Sequence, residues 1–161
     1  MAKITLKGNP VHTNGDIPKT GSKLHDFTLV DKDLKEHSLS DFKGKKKVIY
    51  TAPSLDTSVC LLSTKKLNDL AKKHKDTVFM VITTDLPFAQ KRICGLEHID
   101  NLVVLSLVRS KKCAEDMGIL IVDGPLEGLI ARSLFVVNED NVVKHVELVS
   151  EITHEPNFDT I

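Results

Sequence analysis

Cys60 closes the stretch Pro53-Ser54-Leu55-Asp56-Thr57-Ser58-Val59-Cys60, which follows an apolar run and leads into a helical pattern. That placement suits a reactive thiol. Backbone N–H groups at a helix N-terminus are unpaired and carry about half a positive charge, which favours the thiolate over the thiol. The thiolate is the form that attacks. Thr57, three residues earlier, is placed to accept from first-turn N–H groups as a cap, or to donate to the sulfur if the turn curls back. Pro53 and Pro87 each fit the start of a loop or a first helical turn, where a missing N–H costs nothing. Arg132 opens an apolar strand pattern; its guanidinium stays charged and offers several fixed donors. On residue type alone, Cys60 also reads as a buried apolar cysteine, Arg132 as a structural ion-pair partner and Pro53 as an ordinary loop proline.

Two further cysteines lie downstream. Cys94 precedes Gly95 at the expected end of a helix, where the negative end of the dipole disfavours the thiolate. Cys113 follows Ser110-Lys111-Lys112 on an expected surface helix and reads as a bystander. No Cys-x-x-Cys occurs, and the seven histidines form no close pair at metal-ligand spacing, so neither a dithiol motif nor a zinc site is supported. Gly124-Pro125-Leu126-Glu127-Gly128 lacks the spacing and lysine of a phosphate loop and reads as a turn.

The elements that must position these residues follow from apolar patterning. Val48-Ile49-Tyr50 and Val78 to Ile82 are short continuous apolar runs expected for strands covered on both faces. Between them Leu62, Leu67, Leu70 and Ala71 recur at near-helical spacing among lysines, which predicts an amphipathic crossover helix beginning near Cys60. A second helix fits Leu86 to Cys94, capped by Asp85 and ended by Gly95. Leu102 to Leu105 reads as a strand and Lys111 to Met117 as a short helix. Ser133 to Val137 and Val142 to Val149 read as a hairpin around Asn138-Glu139-Asp140-Asn141, and Ile4 to Thr13 as a small N-terminal hairpin. The alternation predicts an α/β sheet with helices on both faces.

A chain of 161 residues fits one domain spanning 1–161. Its 22 basic and 22 acidic residues balance, which gives no reason to expect nucleic acid as a partner. The run Lys43 to Lys47 reads as a solvated turn before a strand. The first residues lack a secretory h-region and no apolar run approaches the ~18 residues of a membrane span, so a soluble, cytoplasmic protein with no membrane partner is expected. An odd count of three cysteines argues against a purely structural disulfide framework and fits a reducing compartment.

Ala52 to Cys60, Asp85 to Gly95 and Ala131-Arg132, with Asp123 to Leu129 and Glu151-Ile152-Thr153-His154-Glu155-Pro156 between and beyond them, closely resemble the bacterial thiol peroxidases. These are atypical two-cysteine peroxiredoxins, and the resemblance covers nearly the whole chain. It implies a thioredoxin-like fold, a central mixed sheet flanked by helices with an N-terminal β-hairpin. It further implies a thiol-dependent peroxidase that reduces hydrogen peroxide and alkyl hydroperoxides, with Cys60 peroxidatic and Cys94 resolving. The two would form an intramolecular disulfide, reduced by thioredoxin. By the same resemblance Pro53 walls the pocket, Thr57 bonds the thiolate or peroxide, and Arg132 holds sulfur and peroxide oxygen. A homodimer is implied, and neither metal nor other cofactor is called for, because the thiolate does the oxidation chemistry itself. A redox sensor that oxidises stoichiometrically and signals to a partner is the alternative. Ser58 stands where relatives carry proline, Leu61-Leu62 is bulkier than usual, and relatives continue into a closing helix where this chain ends at Ile161.

Thiolate formation alone does not supply the rate such an enzyme needs. Moving a thiol from about 8.5 to about 6 raises the thiolate fraction at pH 7 about thirtyfold, but the loss of nucleophilicity returns about ten- to eighteenfold of it. Donors aimed at the charge developing on the leaving oxygen must do most of the work, and Arg132 is the candidate. Cys94 would have to travel to Cys60. The two are expected too far apart to bond in the reduced protein, since Cα separations beyond ~7 Å forbid a disulfide, so both helix ends would unwind in turnover.

Overall fold

The computed structural model describes residues 1–161. Along the chain run β1 (Lys3–Leu6), β2 (Asn9–His12), β3 (Thr28–Asp31), β4 (Glu36–Ser38), β5 (Lys46–Thr51), α1 (Ser58–Lys73) and β6 (Thr77–Thr83). There follow α2 (Pro87–Leu96), β7 (Val103–Ser106), α3 (Lys112–Asp116), β8 (Ser133–Val137) and β9 (Val143–Leu148). Seven strands form one mixed sheet in the order β4-β3-β7-β6-β5-β8-β9, and β1 and β2 form a separate two-stranded antiparallel sheet.

β5 lies inside the sheet, and its Val48, Ile49 and Tyr50 are apolar toward both faces, as a strand covered on both sides requires. It pairs in parallel with β6, Tyr50 opposite Val81, and antiparallel with β8, Tyr50 opposite Leu134. Parallel neighbours need a crossover, and α1 and α2 supply the two that carry the chain from β5 through β6 to β7. Both helices pack on one face, where Cys60, Leu67 and Ala71 of α1 and Ile93 and Cys94 of α2 meet Val48, Tyr50, Phe79, Val81 and Leu134. The opposite face, with Ile49, Met80, Ile82, Leu105 and Phe135, is covered by Cys113, Ala114 and Met117 from the α3 region and by Ile4 and Val11 of the N-terminal hairpin. This is the thioredoxin-like arrangement, with helices on both faces of a mixed sheet and the hairpin set against one of them. No helix is long and apolar enough to cross a membrane.

The N-terminal hairpin turns through Lys7 and Gly8, both at positive φ (50° and 82°), the two-residue loop whose twist matches its strands. Gly118, after α3, is fixed by close approach: a Cβ there would lie 2.3 Å from the Asp16 carbonyl oxygen.

Several local expectations are corrected. Leu62 does not join the buried stripe of α1 and is 51 % exposed; Ser63, Thr64 and Asn68 share that stripe with Cys60, Leu67 and Ala71. Two of the polar members find partners: Thr64 Oγ1 donates to the Cys60 carbonyl at 2.7 Å, and Asn68 Oδ1 accepts from Asp100 N and Asn101 N at 3.1 and 2.8 Å. Lys47 is not part of a solvated run. It is fully buried on β5, its Nζ donating to Asn141 Oδ1 at 2.6 Å beneath the β8–β9 turn. Burial lowers its pKa, with Glu139 and Asp140 pulling the other way. The β3–β4 hairpin is additional to the elements expected from the sequence.

Candidate active site

β5 ends at Thr51, and the chain turns through Pro53 to Asp56 before entering α1. Asp85, expected to cap α2, instead holds this turn. Its carboxylate accepts from Ser54 Oγ at 2.5 Å, from Leu55 N at 2.7 Å and from Thr83 Oγ1 at 2.7 Å. Thr84 Oγ1 donates to the Pro53 carbonyl at 2.5 Å, so the turn is tied along its length to the end of β6. Leu86 takes the N-cap position of α2 and Pro87 its first turn, where proline's lack of an N–H is harmless.

Thr57 is the N-cap of α1 and its Oγ1 accepts from Cys60 N at 3.3 Å. The capping chemistry read from the sequence is therefore in place, and it puts Cys60 in the first turn of a 16-residue helix. Cys60 is fully buried and its sulfur is free.

Arg132 immediately precedes β8 and is 2 % exposed. Its Nε and Nη2 donate to the carbonyl oxygen of Ile152 at 3.0 and 2.8 Å, and its Nη1 donates to the hydroxyl of Tyr50. Three of five N–H donors are thereby spent, which leaves one on each terminal nitrogen. Burial on its own would lower the Arg132 pKa, but Tyr50 and Cys60 beside it outweigh that and hold it above its ordinary value. Burial pushes the Tyr50 phenol up to about 12, against the pull of Arg132, so Tyr50 serves as a neutral acceptor.

Pro53, Thr57, Cys60 and Arg132 line one cavity of about 240 Å³. Its remaining walls are mostly apolar, from Leu6, Leu126, Leu129 and Ile152. A buried cation aimed at a thiol in such surroundings acts with little screening, and can steady negative charge on sulfur and on an attacked oxygen together. Sequence reasoning missed Tyr50, Leu6, Leu126, Leu129 and Ile152 as site residues. Tyr50 carries a faint signal, a hydroxyl in a continuous apolar strand that must find a partner when buried; the leucines carry none, since only the fold brings them there.

Cys94 lies elsewhere, in the last turns of α2, 4 % exposed and free. Burial pushes its thiol up to about 11, with Lys32 pulling the other way. It lines a separate cavity of about 450 Å³ with Lys32, Lys91, His98 and Leu102. α2 does not stop at Gly95 but continues to Leu96. Glu97 is its C-cap, and His98 follows at φ +55°, with Ile99 N reaching back to the Cys94 carbonyl at 2.9 Å. That is the backbone pattern of a Schellman end, with histidine where glycine is usual. Cys113 is not a surface thiol. It is buried against the core with its Sγ 3.6 Å from Met117 Sδ, and burial, reinforced by Asp116, pushes it up to about 12. Cavity size does not pick out the site, since a cavity of about 320 Å³ beside Cys113 is also larger. Only at Cys60 does a thiol share its cavity with an arginine.

Comparison with known proteins bears on the family of the chain. The family model described as Redoxin matches residues 19–161. A thiol peroxidase of Leptospira interrogans serogroup Icterohaemorrhagiae serovar copenhageni (strain Fiocruz L1-130) is 48 % identical over 160 residues, 98 % of this chain and 94 % of that protein. The crystal structure of a peroxiredoxin-like protein from Aquifex aeolicus superposes with a TM-score of 0.94 at 41 % identity, covering 99 % of this chain and 93 % of the other. A thiol peroxidase from Chromobacterium violaceum superposes with a TM-score of 0.91 at 25 % identity, covering 98 % and 91 %.

Proposed function

Because the chain belongs to the Redoxin family, and is a thiol-dependent peroxidase by its likeness to the thiol peroxidases within it, we propose that Cys60 is its peroxidatic cysteine and Cys94 its resolving one. The observation that carries the reading is the shared cavity of Cys60 and Arg132, capped by Thr57 and walled by Pro53. The Cys60 thiolate attacks the terminal oxygen of a hydroperoxide. The O–O bond breaks as the S–O bond forms, and the departing alkoxide or hydroxide leaves as alcohol or water once protonated. Cys60 becomes a sulfenic acid. The free N–H groups of Arg132 meet the charge on the oxygens as it develops, and Pro53 keeps water from the sulfur. The apolar walls favour organic hydroperoxides beside hydrogen peroxide.

Cys94 then attacks the sulfenic sulfur, water leaves, and a Cys60–Cys94 disulfide forms. Both thiols lie on the same face of the sheet but line different cavities, so the first turn of α1 and the last of α2 open for this step. Thioredoxin, supplying two electrons and two protons by thiol–disulfide exchange, returns both cysteines to the thiol state. A thioredoxin reductant fits a cytoplasmic enzyme, since the cytosol keeps thiols reduced. We assign it as a homodimer, for which Leu86, Phe88 and Val108 offer exposed apolar surface.

The test is to treat the reduced protein with one equivalent of cumene hydroperoxide, quench at intervals from about a second to minutes, and map thiols by mass spectrometry, so that the span in which protein disulfides form is covered. A Cys60–Cys94 link supports both assignments. Unlinked cysteines, or oxidation at Cys113, remove the two-cysteine mechanism. Continued peroxide consumption with thioredoxin and its reductase separates an enzyme from a stoichiometric sensor.

A further inference from the structure

Residues 150–153 meet the catalytic arginine and the N-terminal hairpin at the same time. The Ile152 carbonyl is the double acceptor of Arg132. One residue earlier, the Glu151 carboxylate collects five donors. Thr5 Oγ1 at 2.9 Å and Gly8 N at 2.8 Å reach one oxygen; Lys7 N at 3.2 Å, Thr153 N at 3.0 Å and Thr153 Oγ1 at 2.9 Å reach the other. Backbone bonds from Thr5 N to the Ser150 carbonyl (2.8 Å) and from Ile152 N to the Thr5 carbonyl (2.9 Å) run alongside.

The hairpin needs such help. A two-stranded sheet is marginal on its own, and this one is not continuous with the main sheet. Ile4 and Val11 root its middle in the core, but its tip at Leu6-Lys7-Gly8 is fastened by Glu151. Leu6, next to that fastening, lines the Cys60 cavity together with Ile152 and Thr153.

We propose that Glu151 is a positioning and specificity residue: its carboxylate latches the hairpin tip to residues 150–153, holding Leu6 as a wall for the organic group of a hydroperoxide and the Ile152 carbonyl against Arg132. This rests on the reading of Cys60 as peroxidatic. Hydrogen peroxide is too small to use the Leu6 wall, whereas an aryl or long alkyl hydroperoxide fills the space up to it. Loss of the latch therefore weakens the large substrate beyond any shared effect through Arg132.

The experiment measures kcat/KM for hydrogen peroxide and for cumene hydroperoxide on the full chain, in wild type, Glu151→Gln and Thr5→Val. In Glu151→Gln an amide NH₂ must replace one oxygen and faces N–H donors it cannot accept. The expected result is that cumene hydroperoxide loses about tenfold more than hydrogen peroxide, the scale of a lost apolar contact in a binding pocket. Thr5→Val, which removes one donor, shifts the ratio in the same direction by less. A ratio that stays within about twofold of wild type in both variants, or that rises, overturns the proposal whatever happens to the melting temperature. If Glu151→Gln does not fold, Thr5→Val and Leu6→Ala decide the same ratio. Should wild type consume neither peroxide, the peroxidase reading fails by itself, and hydrogen exchange then judges the latch. Glu151→Gln must speed exchange at Thr5 to Gly8 about tenfold without changing β5, and equal protection overturns it.

Discussion

Arg132 and Ile152 are locked together: two guanidinium nitrogens, Nε and Nη2, converge on one carbonyl oxygen at 3.0 and 2.8 Å. This fixes the plane of the guanidinium and therefore where its remaining N–H groups point. A lysine ammonium carries three donors on one rotatable nitrogen and lacks the planar fork that braces on the carbonyl and Tyr50 while its other N–H groups stay fixed. Arg132→Lys is expected to lower kcat/KM for hydrogen peroxide about a hundredfold, measured by stopped-flow on the prereduced protein. Near-wild-type rates in that variant would remove Arg132 from the reaction.

Tyr50 is the second anchor of the same group. Tyr50→Phe takes the acceptor from Arg132 Nη1 while leaving the ring packed, so a buried charged donor loses its partner. The cost in stability is expected to be about 1–3 kcal/mol, read from urea unfolding. kcat/KM should fall about tenfold, because a guanidinium free to tilt misplaces its remaining donors. Unchanged stability would mean that water replaces the phenol without loss.

Which parts of this site were legible in the sequence follows from how local their physics is. Thr57 capping the turn that contains Cys60 depends on three residues of spacing and was readable. The central strands were readable because Val48 to Tyr50 and Val78 to Ile82 are apolar toward both faces. Asp85 was misread because its nearest backbone, α2, loses it to Ser54 and Leu55, about thirty positions away. Lys47 was misread because a run of lysines looks solvated until the turn at Asn141 folds over one of them. β3 and β4 were missed because strands of four and three residues, joined through Lys32-Asp33-Leu34-Lys35, carry little apolar pattern; β3 joins the main sheet only through β7, some seventy residues on. Leu6 and Ile152 meet at the cavity from opposite ends of the chain, and no spacing rule connects them.

In the proposed mechanism Cys94 is released from the end of α2, which carries a strained residue. His98 sits at φ +55° and the Ile99 N–H returns to the Cys94 carbonyl, so the last turn is closed at a conformational cost. His98→Gly removes a cost of about 1 kcal/mol, part of which returns as glycine's greater freedom in the unwound state. The net stabilisation of the closed turn should slow Cys60–Cys94 disulfide formation about two- to fivefold, seen by quenched-flow thiol mapping after one equivalent of peroxide. An unchanged rate would mean that opening of α2 does not limit resolution.

Alkaline pH should loosen that same end. Burial raises the Cys94 thiol from 9.0 to about 11 in the folded protein, with Lys32 opposing. A group whose folded value lies above its unfolded one stabilises fully below the unfolded value, and loses that contribution as pH rises through the folded one. The contribution of Cys94 is thus intact up to about pH 9 and lost toward pH 11. Cys113, pushed to about 12, behaves likewise at somewhat higher pH and is best replaced by serine in the test protein. At pH 8 iodoacetamide should label Cys94 slowly. Between pH 9 and 11 Cys94 labelling should rise and urea stability fall, and a Cys94→Ser variant should lack that fall. Equal alkaline losses with and without Cys94 would show that its burial does not hold the turn closed.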